Sequence, residues 1–181
     1  MDQKERILAI WKDAQLGNPD ELPSIRRLGM ACVALPTCGL ALAEAERVFP
    51  KLLRELEANW VRLGLANEPL AVRMTGCPNN CVRTEMAEVG FVGASPGKYH
   101  VYLGGNREGS RLGQKFLERV PFDQLAETVV PLMDRYAKER QSQQPFGDWC
   151  VSIGMESLRR DIQEVKSWTL LSMNFDKLEM R

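Results

Sequence analysis

Apolar residues recur at roughly helical spacing in several stretches of this chain. Between residues 2 and 16, Ile7, Leu8, Ile10 and Trp11 stand on a charged background, which predicts a short helix closed by Gly17-Asn18-Pro19. Residues 18–29, punctuated by Pro19, Pro23 and Gly29, read as an irregular connection. From residue 39 to 63, Leu42, Ala45, Phe49, Leu52, Leu53, Leu56 and Trp60 form one wide apolar stripe, interrupted by Pro50. Either that helix kinks at Pro50, or a second helix starts with Pro50 in its first turn. The period then changes. Residues 70–74, 87–92 and 98–103 read as strands, the last two joined through Gly93-Ala94-Ser95-Pro96-Gly97, whose Pro-Gly step signals a hairpin. From 122 to 141 the pattern is helical again, with Leu125, Val129, Leu132, Met133 and Tyr136 on one face and Pro131 expected to kink it. Beyond Gly154, Leu158, Ile162, Val165 and Trp168 keep a weak helical pattern that then fades. Together these elements predict an α/β fold: a small, largely antiparallel sheet packed with helices.

Composition narrows the function. The 181 residues are 44% hydrophobic and 27% charged, which excludes disorder and collagen. Lys and Arg number 24, as do Asp and Glu, so no overall field gathers nucleic acid or an anionic membrane. No apolar run approaches the ~18 residues of a membrane helix, and the N-terminus lacks the apolar core of a signal peptide. The expectation is a soluble, cytoplasmic protein, with the plastid stroma as a lesser alternative.

Five cysteines, Cys32, Cys38, Cys77, Cys81 and Cys150, make an odd number, which argues against a disulfide framework. Four fall in two pairs, with five residues between Cys32 and Cys38 and three between Cys77 and Cys81. Four thiolates on two loops suit a structural zinc or an iron–sulfur cluster. The wide gap in Cys32-Val33-Ala34-Leu35-Pro36-Thr37-Cys38 counts against zinc, whose ligand pairs usually sit on tighter turns. Cys38 directly precedes the helix expected over 39–63, and Pro78 follows Cys77 as a first helical residue would. Both pairs are therefore expected at helix N-termini, which favour an anionic centre.

The run from Met30 through Cys32, Cys38 and Arg47 carries one half of a further pattern. Met74-Thr75-Gly76-Cys77-Pro78-Asn79-Asn80-Cys81-Val82-Arg83 carries the other, followed by Ala87 to Gly93, Tyr99 to Arg111 and Phe146-Gly147-Asp148-Trp149. In this order, over about residues 25–154, they resemble the C-terminal half of the assimilatory sulfite reductase hemoprotein, of the siroheme sulfite and nitrite reductase family. The resemblance implies a 4Fe-4S cluster held by Cys32, Cys38, Cys77 and Cys81, with Cys81 also ligating siroheme. It further implies cofactor contacts near Ala31, Thr37 and Asn79, and six-electron reduction of sulfite to sulfide fed by a ferredoxin or a flavoprotein. Asn80 departs from the glycine usual in sulfite reductases at that point; an asparagine tolerates positive φ but adds a side chain.

On the same resemblance, residues 1–29 correspond to a partial helix and connection of a preceding ferredoxin-like subdomain, and 30–154 to the iron–sulfur and siroheme-binding domain. Residues 155–181 are a tail with no readable role. The family's N-terminal half, which carries most of the cationic cradle for siroheme and sulfite, has no counterpart here. The chain alone is therefore expected to be inactive, needing that half or another chain supplying it, and Ile7, Leu8, Ile10 and Trp11 are expected to present an uncovered apolar face. A ferredoxin-nitrite reductase fragment and a non-catalytic four-cysteine module, zinc or iron–sulfur, are the alternatives. Cys150 reads as a buried structural thiol and His100 as a packing or surface residue. Arg73, Arg83, Arg107 and Arg111 suit siroheme carboxylates and ordinary ion pairs equally. Gly104-Gly105, without a following Lys-Ser/Thr, reads as a strand-end turn.

Overall fold

The computed structural model of the chain describes residues 2–15 and 21–162. Five strands, β1 (Met30–Ala31), β2 (Val72–Thr75), β3 (Val89–Ser95), β4 (Lys98–Leu103) and β5 (Gln114–Pro121), pair in that order. β1, β2 and β3 run parallel, whereas β3, β4 and β5 form an antiparallel meander with the longer ladders, so the sheet is mostly antiparallel. Its helices are α1 (Asp2–Asp13), α2 (Ser24–Leu28), α3 (Phe49–Arg62), α4 (Leu125–Glu139) and α5 (Phe146–Ile153). Residues 155–162 are also helical.

The patterns explain these elements. Along β4, Tyr99, Val101 and Leu103 are buried while Lys98, His100 and Tyr102 are not, the period-two signature of a strand with one face on the core. β3 is buried from Val89 to Gly93, as a central strand covered on both faces must be. The hairpin between them turns at Pro96-Gly97, where Gly97 takes φ +67°. In α3, Leu52, Leu53, Leu56 and Trp60 face inward, and Pro50 lies in the first turn, so the second of the two alternatives for Pro50 is the one adopted. Leu125, Val129, Leu132, Met133 and Tyr136 of α4 join them in one core with the strands. Trp60 stacks on Tyr136 with ring centroids 5.6 Å apart, and Phe146 and Trp149 of α5 complete the aromatic cluster. Met155, Leu158 and Ile162 are buried in the same core. Val165 and Trp168 lie outside the described residues.

Several expectations fail. The helix foreseen over 39–63 begins only at Phe49; residues 39–48 form turns and bends. The backbone N–H groups of Leu42 and Ala43 both donate to the Gly76 carbonyl, at 2.8 and 3.0 Å, which commits this stretch to the segment after β2 rather than to itself. No helix starts at Pro78 either: residues 76–83 are irregular, followed by one 3₁₀ turn at Thr84–Met86. The segment 18–29, read as irregular, contains α2, held by Ser24 Oγ donating to the carbonyls of Ala66 (3.2 Å) and Glu68. β5 was not foreseen. Only Phe116 and Val120 along it are buried, and its register against β4 shifts around Val101, so no regular alternation announces it.

Ile7, Leu8, Ile10 and Trp11 of α1 are 40–60% exposed. Among the described residues, no helix is long and apolar enough to cross a membrane.

Candidate functional site

Cys32 follows β1 directly and Cys77 follows β2 after one glycine. Because β1 and β2 are parallel, with Ala31 opposite Met74, both cysteines leave the sheet at the same end. Loops at the carboxyl ends of parallel strands are where open α/β sheets commonly place their ligands. The cysteines are thus set by strand ends, not by the helix N-termini foreseen for Cys38 and Cys77.

The Thr75-Gly76 step ties three segments together. Cys32 Sγ accepts hydrogen bonds from the Thr75 hydroxyl at 3.4 Å and from the Gly76 N–H at 3.2 Å. The Gly76 carbonyl accepts from Leu42 and Ala43, holding the stretch that follows Cys38. Cys77 is the next residue. A side chain at Gly76 would meet Ala34 Cβ and the Ala43 carbonyl at 2.6 Å, so the three segments touch through backbone. Gly93 of β3 backs the same point: a Cβ there would lie 2.3 Å from the Gly76 carbonyl oxygen. The Cys38 loop closes locally through Cys38 N–H donating to the Ala34 carbonyl at 2.7 Å, and contains the cis Leu35–Pro36 peptide.

Cys81 sits on the outer turn. Asn80 adopts φ +58° and Arg83 φ +52°, the left-handed region that costs ordinary residues ~1–2 kcal/mol. Asn80 Oδ1 accepts from the Thr84 N–H at 2.5 Å, and its carbonyl accepts from the Arg83 N–H at 2.8 Å. An asparagine therefore fills the glycine-like position with the conformation glycine would supply, and adds an acceptor. Arg73 of β2 donates to the carbonyls of Val82 and Arg83, at 3.3 and 3.2 Å, pinning the turn to the sheet. Burial lowers the Arg73 pKa, with Arg83 adding to the effect.

The remaining candidates divide. Ala31 ends β1 and packs against the core, whereas Thr37 and Asn79 are exposed on the turns beside Cys38 and Cys77. Cys77 is buried, Cys32 and Cys38 are half-buried and Cys81 is exposed. Among the described residues, no three His, Cys, Asp or Glu side chains stand together as a ready metal site. The backbones converge; the four thiols are not drawn into one coordination set. Their chemistry fits an iron–sulfur centre: four sulfur donors on contiguous loops, one already receiving two hydrogen bonds of the kind that orient metal ligands.

Other residues singled out from the sequence serve the frame. Burial pushes the Cys150 thiol far above its ordinary value, as suits a packed, inert side chain. His100 Nδ1 accepts from the Arg119 N–H at 3.3 Å across the β4–β5 ladder. Arg111 pairs with Asp148 at 2.5 Å and donates to the Gly104 carbonyl, while Arg107 lies 3.8 Å from Glu88. A side chain at Gly105 would collide with the Ala87 carbonyl at 2.3 Å, so Gly104-Gly105 is a close-packed strand end. Thr75, Gly76 and Arg73 were not foreseen as organisers of the site. Their signal, a Thr-Gly step between a strand and a cysteine, becomes readable only once β1 is known to lie beside β2.

Comparison with known proteins identifies the family. The family model described as the nitrite and sulphite reductase 4Fe-4S domain matches residues 27–170. The chain is 44% identical over 154 residues to the sulfite reductase (NADPH) hemoprotein beta-component of Bacillus subtilis, covering 85% of this chain and 27% of that protein. It is 50% identical over 131 residues to the protein of the same name from Methylorubrum extorquens, covering 72% and 21%. The chain thus spans about a quarter of the length of the curated relatives it matches. The solved structure of the Mycobacterium tuberculosis NirA protein superposes with a TM-score of 0.70 at 26% identity, over 86% of this chain and 30% of the other. Dissimilatory sulfite reductase I shares the fold, with a TM-score of 0.58 at 10% identity. Four cysteines on strand-end loops and a match spanning most of the chain lead to one conclusion: this protein belongs to the nitrite and sulphite reductase 4Fe-4S domain family.

Proposed function

We propose that this chain is the cluster-bearing portion of a siroheme sulfite reductase, acting in the six-electron reduction of sulfite to sulfide together with the remainder of such an enzyme. The observation that carries this reading is the Thr75-Gly76 step, hydrogen-bonded to Cys32 and to the segment after Cys38 and continuous with Cys77. Cys32, Cys38, Cys77 and Cys81 would hold a 4Fe-4S cluster, and Cys81 would also face siroheme. When bound, that pair of centres supplies single electrons at an iron where sulfite is reduced.

The chain's own residues supply placement. Gly76 and Gly93 let three backbones meet, Thr75 and Gly76 hold the Cys32 sulfur, and Arg73 with Asn80 fixes the turn that presents Cys81 outward. The exposure of Cys81 supports its role as the thiol a second centre approaches from outside. Thr37, Asn79, Leu40 and Leu42, near the cysteines in sequence, are exposed as well and would be open to a macrocycle and the rest of the enzyme. NADPH in the relatives' names favours a donor that accepts a hydride and releases single electrons, the chemistry of a flavoprotein, over ferredoxin. Nitrite is the second reading for substrate, because the family description spans both reductases.

Anaerobic reconstitution with ferrous iron and sulfide, followed by metal analysis and an optical spectrum with and without siroheme, tests the proposal. Iron and sulfide in equal amounts are expected, with a Soret band on adding siroheme when the complementary half is present. Zinc as the only metal taken up would overturn it in favour of a structural module.

A further inference from the structure

Thr75 is wholly buried at the end of β2, yet its hydroxyl is spent on a sulfur. A buried threonine in a strand usually donates to a nearby carbonyl; here the bond goes to Cys32 Sγ, 43 residues away in sequence, which also accepts from the Gly76 N–H. The two donors arrive from consecutive residues of one strand end, so the sulfur sits in a small fork. The parallel register that places Ala31 opposite Met74 brings Cys32 to the end of β2 and so makes the fork possible.

We infer that Thr75 is a positioning residue for the metal centre: its hydroxyl holds the Cys32 sulfur in place and withdraws electron density from it. The inference rests on the cluster reading above. A hydrogen bond to a ligating sulfur stabilises the more negative, reduced form of an iron–sulfur centre and so raises its reduction potential. Gly76 acts on the same sulfur through its backbone N–H, which no side-chain substitution removes. Thr75 is therefore the half of the fork that can be varied.

The test compares Thr75→Ser with Thr75→Ala, two variants that both lack the methyl group and differ only in the hydroxyl; Thr75→Val, the near-isostere, is the third. Each full-length chain is reconstituted anaerobically with ferrous iron and sulfide. Its iron and sulfide content is measured, and the cluster is then titrated electrochemically with detection by electron paramagnetic resonance. Serine is expected to behave like the parent. Alanine and valine are expected to load iron but to favour the oxidised form severalfold, up to about tenfold, which for a one-electron couple is up to about 59 mV toward more negative potential. Should the hydroxyl be needed earlier, alanine and valine will lose iron during gel filtration while serine keeps it, which supports the same role. Equal loading and equal potential across serine, alanine and valine would overturn the inference, as would alanine matching the parent while serine does not. If valine fails to fold, the serine–alanine pair still decides. A parent chain that takes up no iron would instead refute the cluster reading. In that event the ¹³Cβ resonance of Cys32 in the metal-free chain judges the contact: it is expected to move in alanine but not in serine, and no difference between them would remove the hydroxyl–sulfur bond.

Discussion

Glu88 offers the sharpest test of how the frame behind the cysteines is held. Its carboxylate is 1% exposed and lies where three elements meet. One oxygen accepts from the Ala71 N–H at 2.9 Å, just before β2; the other accepts from the Gly147 N–H at 3.2 Å, in the first turn of α5. No residue at the start of α5 caps that helix with its own side chain, so Glu88 serves as a cap from 59 residues away. In Glu88→Gln the shape survives but one oxygen becomes an NH₂ group. One of the two buried N–H groups must then face another donor. An unsatisfied buried donor costs ~1–3 kcal/mol. At ~2–4 °C per kcal/mol for a chain of this size, the melting temperature should fall by about 2–12 °C at neutral pH.

The pH dependence of that loss has a definite sign. Burial pushes the Glu88 carboxyl above its ordinary value, against the opposing pull of Ala71, Gly147 and Arg107. A folded value above the unfolded one means that the parent's advantage from Glu88 is complete below the ordinary carboxylate range and shrinks as pH rises through the folded value. Glutamine does not titrate. The deficit of the variant should therefore be widest at the acid end and narrow toward neutrality, as measured by urea unfolding of both proteins between about pH 5 and 8. A deficit that grows with pH, or none at any pH, would refute the assignment of Glu88 as the buried cap.

Three further outcomes are expected. Gly93→Ala would thrust a methyl group to 2.3 Å from the Gly76 carbonyl, a backbone atom that cannot swing aside; a loss of about 3 kcal/mol or more in urea unfolding and impaired iron uptake should accompany it. Asn80→Ala gives up the Thr84 contact while keeping φ +58° and should cost about 2–3 kcal/mol, whereas Asn80→Gly loses the contact but relieves the backbone and should stay within about 1 kcal/mol of the parent by the same assay. Cys150, buried and with its thiol pushed upward, should resist iodoacetamide in the native chain and react only in denaturant, as peptide mapping by mass spectrometry would show.

What the sequence determined by itself is local. The alternation along β4, the Pro96-Gly97 turn and the apolar stripes of α3 and α4 were legible because each depends on neighbours within a few residues. The family was likewise readable, since its cysteine motifs lie in short stretches of sequence. Tertiary structure alone decided the rest. Residues 39–48 carry apolar residues at helical spacing, yet Leu42 and Ala43 give their N–H groups to Gly76, a partner more than thirty residues away that no local pattern announces. β5 exists because β4 offers it an edge, not because its own residues alternate. Cys32 reaches the Thr75-Gly76 step because two short parallel strands end side by side, and parallel pairing is made between segments distant in sequence, so its register leaves no trace in periodicity. The cysteine spacing was written in the chain; which loops lie side by side was decided by the sheet.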